Sequence, residues 1–213
     1  EEVPNMQQRI ADLAMIEGKV SICATEMMES MRTNHRPTRA EVADVAGAVR
    51  EGFSAVMLSA ETATGYDPIN AVSAMARICD ANETHDGHKS FADAHPTESA
   101  VGAATAALAK RTGASSIIAL TYSGYSSEIL SACRPAAQII AATPSHETAR
   151  RLRLHWGVTP LVCQRNVDMT VAVDDAFNAA LDAGLVQFNE LVVVCASREN
   201  IRSAADTIWV HNA

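Results

Sequence analysis

Two hydroxyl residues, Thr25 and Ser59, each follow a short apolar run: Val20–Ala24 and Ala55–Leu58. If those runs are parallel strands, both hydroxyls stand at strand C-termini, where α/β folds gather their reacting groups. The alternative is that each hydroxyl only caps its own turn. A second cluster, Thr121-Tyr122-Ser123-Gly124-Tyr125-Ser126-Ser127, joins an expected strand to an expected helix. There Gly124 permits a tight turn, and the hydroxyls of Thr121, Ser123, Ser126 and Ser127 join free helix N–H groups. That combination suits a phosphate, although most Ser/Gly-rich loops are plain turns. Arg36 and Arg39 flank Pro37-Thr38 at a helix start, a place for ion pairs or subunit contacts as well as substrate. His85, Asp86, His88 and His95 lie together in sequence without the fixed spacing of a metal-binding helix or hairpin, so a solvated loop is the expectation and no metal site is assigned.

Positioning these groups requires a regular scaffold. Pro4 can open a helix with Met6, Ile10, Leu13 and Ala14 expected on its inward face, and Gly18 can close it. Thr38-Arg39-Ala40-Glu41 spells a capping box, followed by a helix burying Val42, Val45, Ala46 and Val49 and ending at Gly52. Asp67-Pro68 opens another helix, with Val72, Met75, Ile78 and Cys79 expected inside. Strand and helix thus alternate, which implies parallel strands that need covering on both faces. Two such units leave an open sheet edge, as the last units of a barrel would.

Residues 84–98 shift to His, Asp, Gly, Ser and Pro and are expected to form a linker. Beyond it the alternation resumes. Helices are expected from Ser99 to Lys110, before Pro135, from Glu147 to His155 and from Val171 to Ala183. Strands are expected at Ile117–Leu120, Ile139–Ala142, Thr159–Val162, Leu191–Ala196 and Thr207–His211, the last as an edge. Trp156 and Trp209 are expected in packing roles.

The bulk numbers narrow the function. The 213 residues are 48% hydrophobic but only 4% aromatic, so the core must be built from small and aliphatic side chains, which suits layered α/β packing. A net charge of −8 argues against nucleic acid as the main partner. No apolar run is long enough to span a bilayer, so no membrane insertion is expected. The five cysteines are scattered, odd in number and without a CxxC pair, which points to a reducing compartment such as the cytoplasm. Glu1 in place of a starting methionine suggests a processed chain, an excised domain or a partial one.

Residues 22–65, ICATEMMESMRTNHRPTRAEVADVAGAVREGFSAVMLSAETATG, resemble the pyruvate kinase signature. The family blocks CATQM-ESM, RPTRAE-DVANAV-G and MLSGETA-G occur here in order and at the expected spacing. The resemblance implies an α/β chain: the last strand–helix units of a (β/α)8 barrel over 1–84, a linker over 85–98, and the family's C-terminal α/β domain over 99–213. It implies phosphoryl transfer from phosphoenolpyruvate to ADP, giving pyruvate and ATP in glycolysis. Thr25 would lie beside the substrate and serve proton delivery, and Ser59 would line the same pocket. Thr121, Ser123, Gly124, Ser126 and Ser127 match the effector loop T-x-S-G-x-[ST]-A, which in many relatives holds a sugar phosphate.

The same resemblance places the Mg2+ and K+ ligands, the catalytic lysine and the substrate-binding arginine before the point where this chain begins. The chain alone is then expected to be inactive and to need its missing catalytic half, or other subunits, in a homo- or hetero-oligomer. Three departures stand out. Glu26 replaces the usual Gln, and would repel a trianionic substrate unless paired or protonated, with Arg36 or Arg39 as the expected partners. Thr64 replaces a Lys. The Gly-rich second effector segment has become Arg198–Thr207, where Arg198 and Arg202 are either compensating cations or surface charges. The alternative role is a non-catalytic structural subunit derived from the kinase.

Overall fold

Thr38 starts a helix in the first part of the chain that is capped at both ends. Its hydroxyl accepts from the Glu41 N–H, while the Glu41 carboxylate accepts from the Thr38 N–H at 2.7 Å. These reciprocal bonds satisfy amides that the helix itself leaves unpaired. Glu41 also accepts from the Ser30 N–H at 2.7 Å, so the cap anchors the 3-10 turn Glu29–Arg32 as well. The helix, α2 (Arg39–Glu51), ends at Gly52 with φ 90°, a left-handed conformation that glycine adopts without a Cβ penalty.

The computed structural model describes residues 1–83, 96–164, 166, 168–197 and 205–212. They divide into two compact units, one of residues 1–15 with 19–83, the other of 16–18 with the described residues from 96 onward. His85, Asp86, His88 and His95 lie outside the described residues, as do Arg198 and Arg202.

In the first unit, α1 (Val3–Ile16), β1 (Ile22–Cys23), α2, β2 (Ala55–Val56), α3 (Ala60–Ala63) and α4 (Pro68–Asn82) follow in order. β1 and β2 pair in parallel, with Ile22 opposite Ala55 and Cys23 opposite Val56. Both strands are shorter than the expected runs. A parallel strand is held open by neighbours on two sides, and each of these has one among the described residues. The core is rich in methionine: Met28 and Met31 are fully buried beside Val45, Phe53 and Met75. Each such side chain contributes roughly 2 kcal/mol by leaving water.

The α1 face is reversed from expectation. Ala11 and Met15 are buried, while Met6, Ile10 and Leu13 are each about half exposed. The cause is polar anchoring: Gln7 donates to the Glu51 carboxylate at 2.7 Å and Gln8 to the Glu51 carbonyl at 3.2 Å. Those bonds turn the Gln7–Ala11–Met15 stripe inward and leave the apolar one outward. In α4, Asp67 caps the Asn70 N–H as expected and Met75 is buried, but Val72 is exposed because Ala71 and Ala74 face the core instead.

The second unit opens with α5 (Pro96–Thr112), which begins three residues before the expected start at Ser99. Then come β3 (Ser116–Leu120), α6 (Tyr125–Ala132), β4 (Gln138–Thr143), α7 (His146–Leu152), β5 (Val158–Val162), α8 (Met169–Asp182), β6 (Leu191–Ala196) and β7 (Thr207–Asn212). The sheet order is β5-β4-β3-β6-β7, parallel except for the antiparallel edge strand β7. Ile118 and Ile140 lie in one core with Phe177 of α8; Ile117 and Ile139 lie in another with Ala109 of α5 and Leu130 of α6. The chain walks outward from β3 to β4 and β5, then returns to the other side of β3 as β6. The C-terminal ends of β3 and β6 therefore form the crevice where open α/β sheets bind ligands. Trp209 packs against the α8-side core, and Trp156 lies under the Arg134 guanidinium at 4.6 Å.

Candidate functional site

Thr25 lies two residues past β1 and Ser59 three past β2, so the paired parallel strands carry both residues at one end of their short sheet. Thr25 is exposed, with φ 69°, and its hydroxyl donates to the Ala24 carbonyl at 2.6 Å. Glu26 follows with φ 55°. Two consecutive left-handed residues that are not glycine cost roughly 1–2 kcal/mol each, so the surrounding structure must hold this turn. Ser59 is half-buried at the N-cap of α3, and its side chain makes no capping bond.

The two loops are joined by Glu61, for which the sequence alone suggests no role. It is 1% exposed, and its two carboxylate oxygens accept from the Met28 N–H at 3.1 Å and the Ser59 N–H at 2.8 Å. Burial pushes this carboxyl up. Backbone N–H donors at Glu61, Ser59 and Met28 outweigh that effect and hold it below the ordinary carboxylate range. The carboxylate thus stays charged while tying the segment after Thr25 to the start of α3. Gly65 makes this compact arrangement possible: a Cβ there would lie 2.0 Å from the Glu61 carbonyl oxygen. Glu61 stands two positions after Ser59 in sequence, but its burial arises only from the tertiary fold.

Glu26 does not pair with Arg36 or Arg39. All three are exposed or partly so, and among the described residues no ion pair joins Glu26 to either arginine. Glu26 lies in the left-handed turn with φ 55°, Arg39 is the first residue of α2, and all three side chains are exposed, where solvent serves their charges. Thr64 ends α3, its hydroxyl bonded to the Ala60 carbonyl.

In the second unit, Thr121, Ser123 and Gly124 form one tight turn between β3 and α6. The buried Thr121 hydroxyl accepts from the Gly124 N–H at 3.0 Å, and Gly124 has φ 95°. The exposed Ser123 hydroxyl accepts from the Tyr125 N–H at 3.4 Å. Ser126 and Ser127 are buried in the first turn of α6. Ser126 lines a small crevice with Glu98, Gly102 and Cys195, and the Ser127 hydroxyl has no partner among the described residues. Arg151 of α7 reaches over the turn, donating to the Ser123 carbonyl and, at 3.1 Å, to the Glu128 carboxylate. No local sequence signal marks Arg151, because the two helices meet only through the fold.

Among the described residues no three His, Cys, Asp or Glu side chains converge as metal ligands.

Comparison with known proteins decides the family. The family model described as pyruvate kinase, alpha/beta domain, matches residues 99–211, and that of the pyruvate kinase barrel domain matches residues 1–72. The chain belongs to the pyruvate kinase family. A pyruvate kinase from Agrobacterium vitis is 40% identical over 200 residues, which cover 91% of this chain and 42% of the relative. One from Methylorubrum extorquens is 44% identical over 198 residues, covering 90% and 41%. Pyruvate kinase 2 of Synechocystis is 37% identical over 213 residues, covering 99% and 36%. The chain thus spans about two-fifths of the length of the curated pyruvate kinases it matches. Its first unit is barrel-type and its second is the pyruvate kinase alpha/beta domain, giving the expected mixed α/β fold with parallel sheets.

Proposed function

We propose that this chain serves the pyruvate kinase reaction, phosphoryl transfer from phosphoenolpyruvate to ADP, as the C-terminal portion of the working enzyme. The observation that carries the proposal is the Glu61 bridge, which fixes the loops of Thr25 and Ser59 at one end of paired parallel strands, within a signature shared with the family. In this reading the exposed Thr25 hydroxyl relays a proton from solvent to the enolate carbon, taking one up as it gives one, and the uncommitted Ser59 hydroxyl lines the pocket. Phosphoryl transfer depends on positioning and charge neutralisation, and the Mg2+, the K+ and the catalytic lysine would be held by the remainder of the enzyme. That remainder is also the partner for the apolar stripe of Met6, Ile10 and Leu13 on α1, in an oligomer acting in cytoplasmic glycolysis. No described helix is long and apolar enough to cross a membrane.

The β3–α6 loop is proposed to take the phosphate of a small sugar phosphate. Its support is the place of the loop at the sheet's reversal point, the α6 N-terminus and the neighbouring Arg151.

One observation favours the second reading, a structural subunit without catalysis: Glu26 puts an exposed carboxylate next to Thr25, with no ion-pair partner among the described residues. Both readings meet in one experiment. The chain is co-expressed with the front three-fifths of the Agrobacterium vitis kinase, and pyruvate formation is followed by a coupled dehydrogenase assay. Turnover in the co-expressed pair that falls in Thr25→Ala supports the enzyme. A stable complex without turnover supports the structural role.

A further inference from the structure

The β3–α6 turn carries its own charged cover. The Arg151 guanidinium lies against Gly124, since a Cβ on that glycine would be 2.9 Å from Arg151 Nη2 and 3.4 Å from Glu128 Oε1. The same Nη2 bonds the Ser123 carbonyl and the Glu128 carboxylate. Glu128 sits in the first turn of α6, where a carboxylate complements the helix dipole as a bound phosphate would. The two partners differ in freedom: the Arg151 side chain is 57% exposed, that of Glu128 only 23%. Behind Glu128, His155 Nε2 lies 3.9 Å from the same oxygen.

We propose that Arg151 is the cationic binding residue of the β3–α6 loop and that Glu128 holds it in reserve, so that a phosphate binds by taking Arg151 from Glu128. The proposal rests on reading this loop as an anion site. The loop's charge is internally balanced when empty. An incoming dianion competes with a fixed carboxylate for one guanidinium, and only the exposed arginine needs to swing. Once Arg151 has turned to the ligand, Glu128 stays in place on α6 with the His155 imidazole 3.9 Å away. Affinity is then set by the Glu128–Arg151 bond as much as by the turn itself, and neutralising Glu128 strengthens binding.

The test titrates the full chain with inorganic phosphate and follows the backbone amide resonances of Gly124, Tyr125 and Ser126 by NMR. Saturable shifts at these amides are expected in the wild-type chain. Glu128→Gln is expected to bind phosphate roughly fivefold tighter, since a partly exposed ion pair is of that worth. Arg151→Gln is expected to bind roughly tenfold weaker, the loss of a charge-assisted contact. Saturable loop shifts with equal affinity in wild type and Glu128→Gln would overturn the reserve role while leaving the anion site standing. No saturable loop shift in any of the three proteins would overturn both. The same spectra report folding; if Glu128→Gln is unfolded, Arg151→Gln decides, and wild-type affinity there overturns the proposal.

Discussion

The Glu61 carboxylate accepts the Met28 N–H at 3.1 Å across 33 residues of sequence, and this bond joins the segment beyond Thr25 to the helix that Ser59 begins. A buried carboxylate with two backbone donors is costly to remove, because it leaves those amides without a partner in a dry site. Glu61→Ala is expected to destabilise the first unit by about 3 kcal/mol. Hydrogen exchange over residues 1–83 measures it, and unchanged protection of Met28 and Ser59 would sink the idea.

The same carboxylate predicts an acid response. Glu61 and Glu41 are both held below the ordinary value of 4.5. In each, burial acts upward and hydrogen-bond donors outweigh it, Ser30 and Thr38 doing so for Glu41. Their unfolded forms take up protons first as pH falls. Their contribution is therefore present above about pH 4.5 and is lost as pH drops through the folded-state values. Exchange protection of the first unit measured against pH should fall less steeply below that point in Glu61→Gln than in wild type.

His155 predicts a second, separate window. Burial lowers its pKa from 6.5, Glu128 acts upward, and Arg151 acts downward. With the folded value below the unfolded one, stability is complete above about pH 6.5 and declines as pH falls through the folded value. The two glutamates do not titrate at the upper end of that window. Thermal melts of His155→Gln between pH 7 and about pH 5 should show a flatter profile than wild type. An identical slope would mean that the imidazole is not kept neutral by burial.

At the α2 start, Thr38→Ala removes one capping bond and is expected to cost about 1 kcal/mol. Glu41→Ala should cost more, since Glu41 also accepts from the Ser30 N–H. Amide exchange across α2 ranks the two, and a milder Glu41 variant would contradict the shared-anchor reading.

Gly65→Ala should be among the most damaging small changes in the chain. The added methyl would meet the Glu61 carbonyl at 2.0 Å, a backbone clash that only a main-chain shift relieves. A loss of about 3 kcal/mol is expected from such overpacking. Poor protection of α3 in exchange experiments would report it, and a native-like α3 would refute it.

Legibility from sequence depended on whether local chemistry or distant contacts decided each feature. The α2 capping box and the Asp67 cap were readable because their partners lie three residues away. Strands β3 to β7 were readable within a few residues from their apolar runs. The α1 face was not, because its apolar stripe is the outward one and Gln7 and Gln8 are turned inward by Glu51, 44 and 43 residues on. The positions of Thr25 and Ser59 just beyond β1 and β2 follow from motif and strand placement, since each lies two or three residues past its strand. Glu61 and Arg151 were missed because their roles come from partners brought close only by folding.

The central strand β3 is buried along its whole length. Ile117 and Ala119 enter one apolar core while Ile118 and Leu120 enter the other, so alternation of polar and apolar residues carries no alignment information. A slip by one position would keep every side chain in an oily environment. What forbids it is volume: Ile118 would be driven into the space shaped for Ala119, and a hole would open where Ile118 had been. Fidelity in this sheet is therefore spelled in side-chain size. It can be read out only once the helices have closed on both faces, so a loosely collapsed chain would tolerate misaligned pairings that the finished domain rejects.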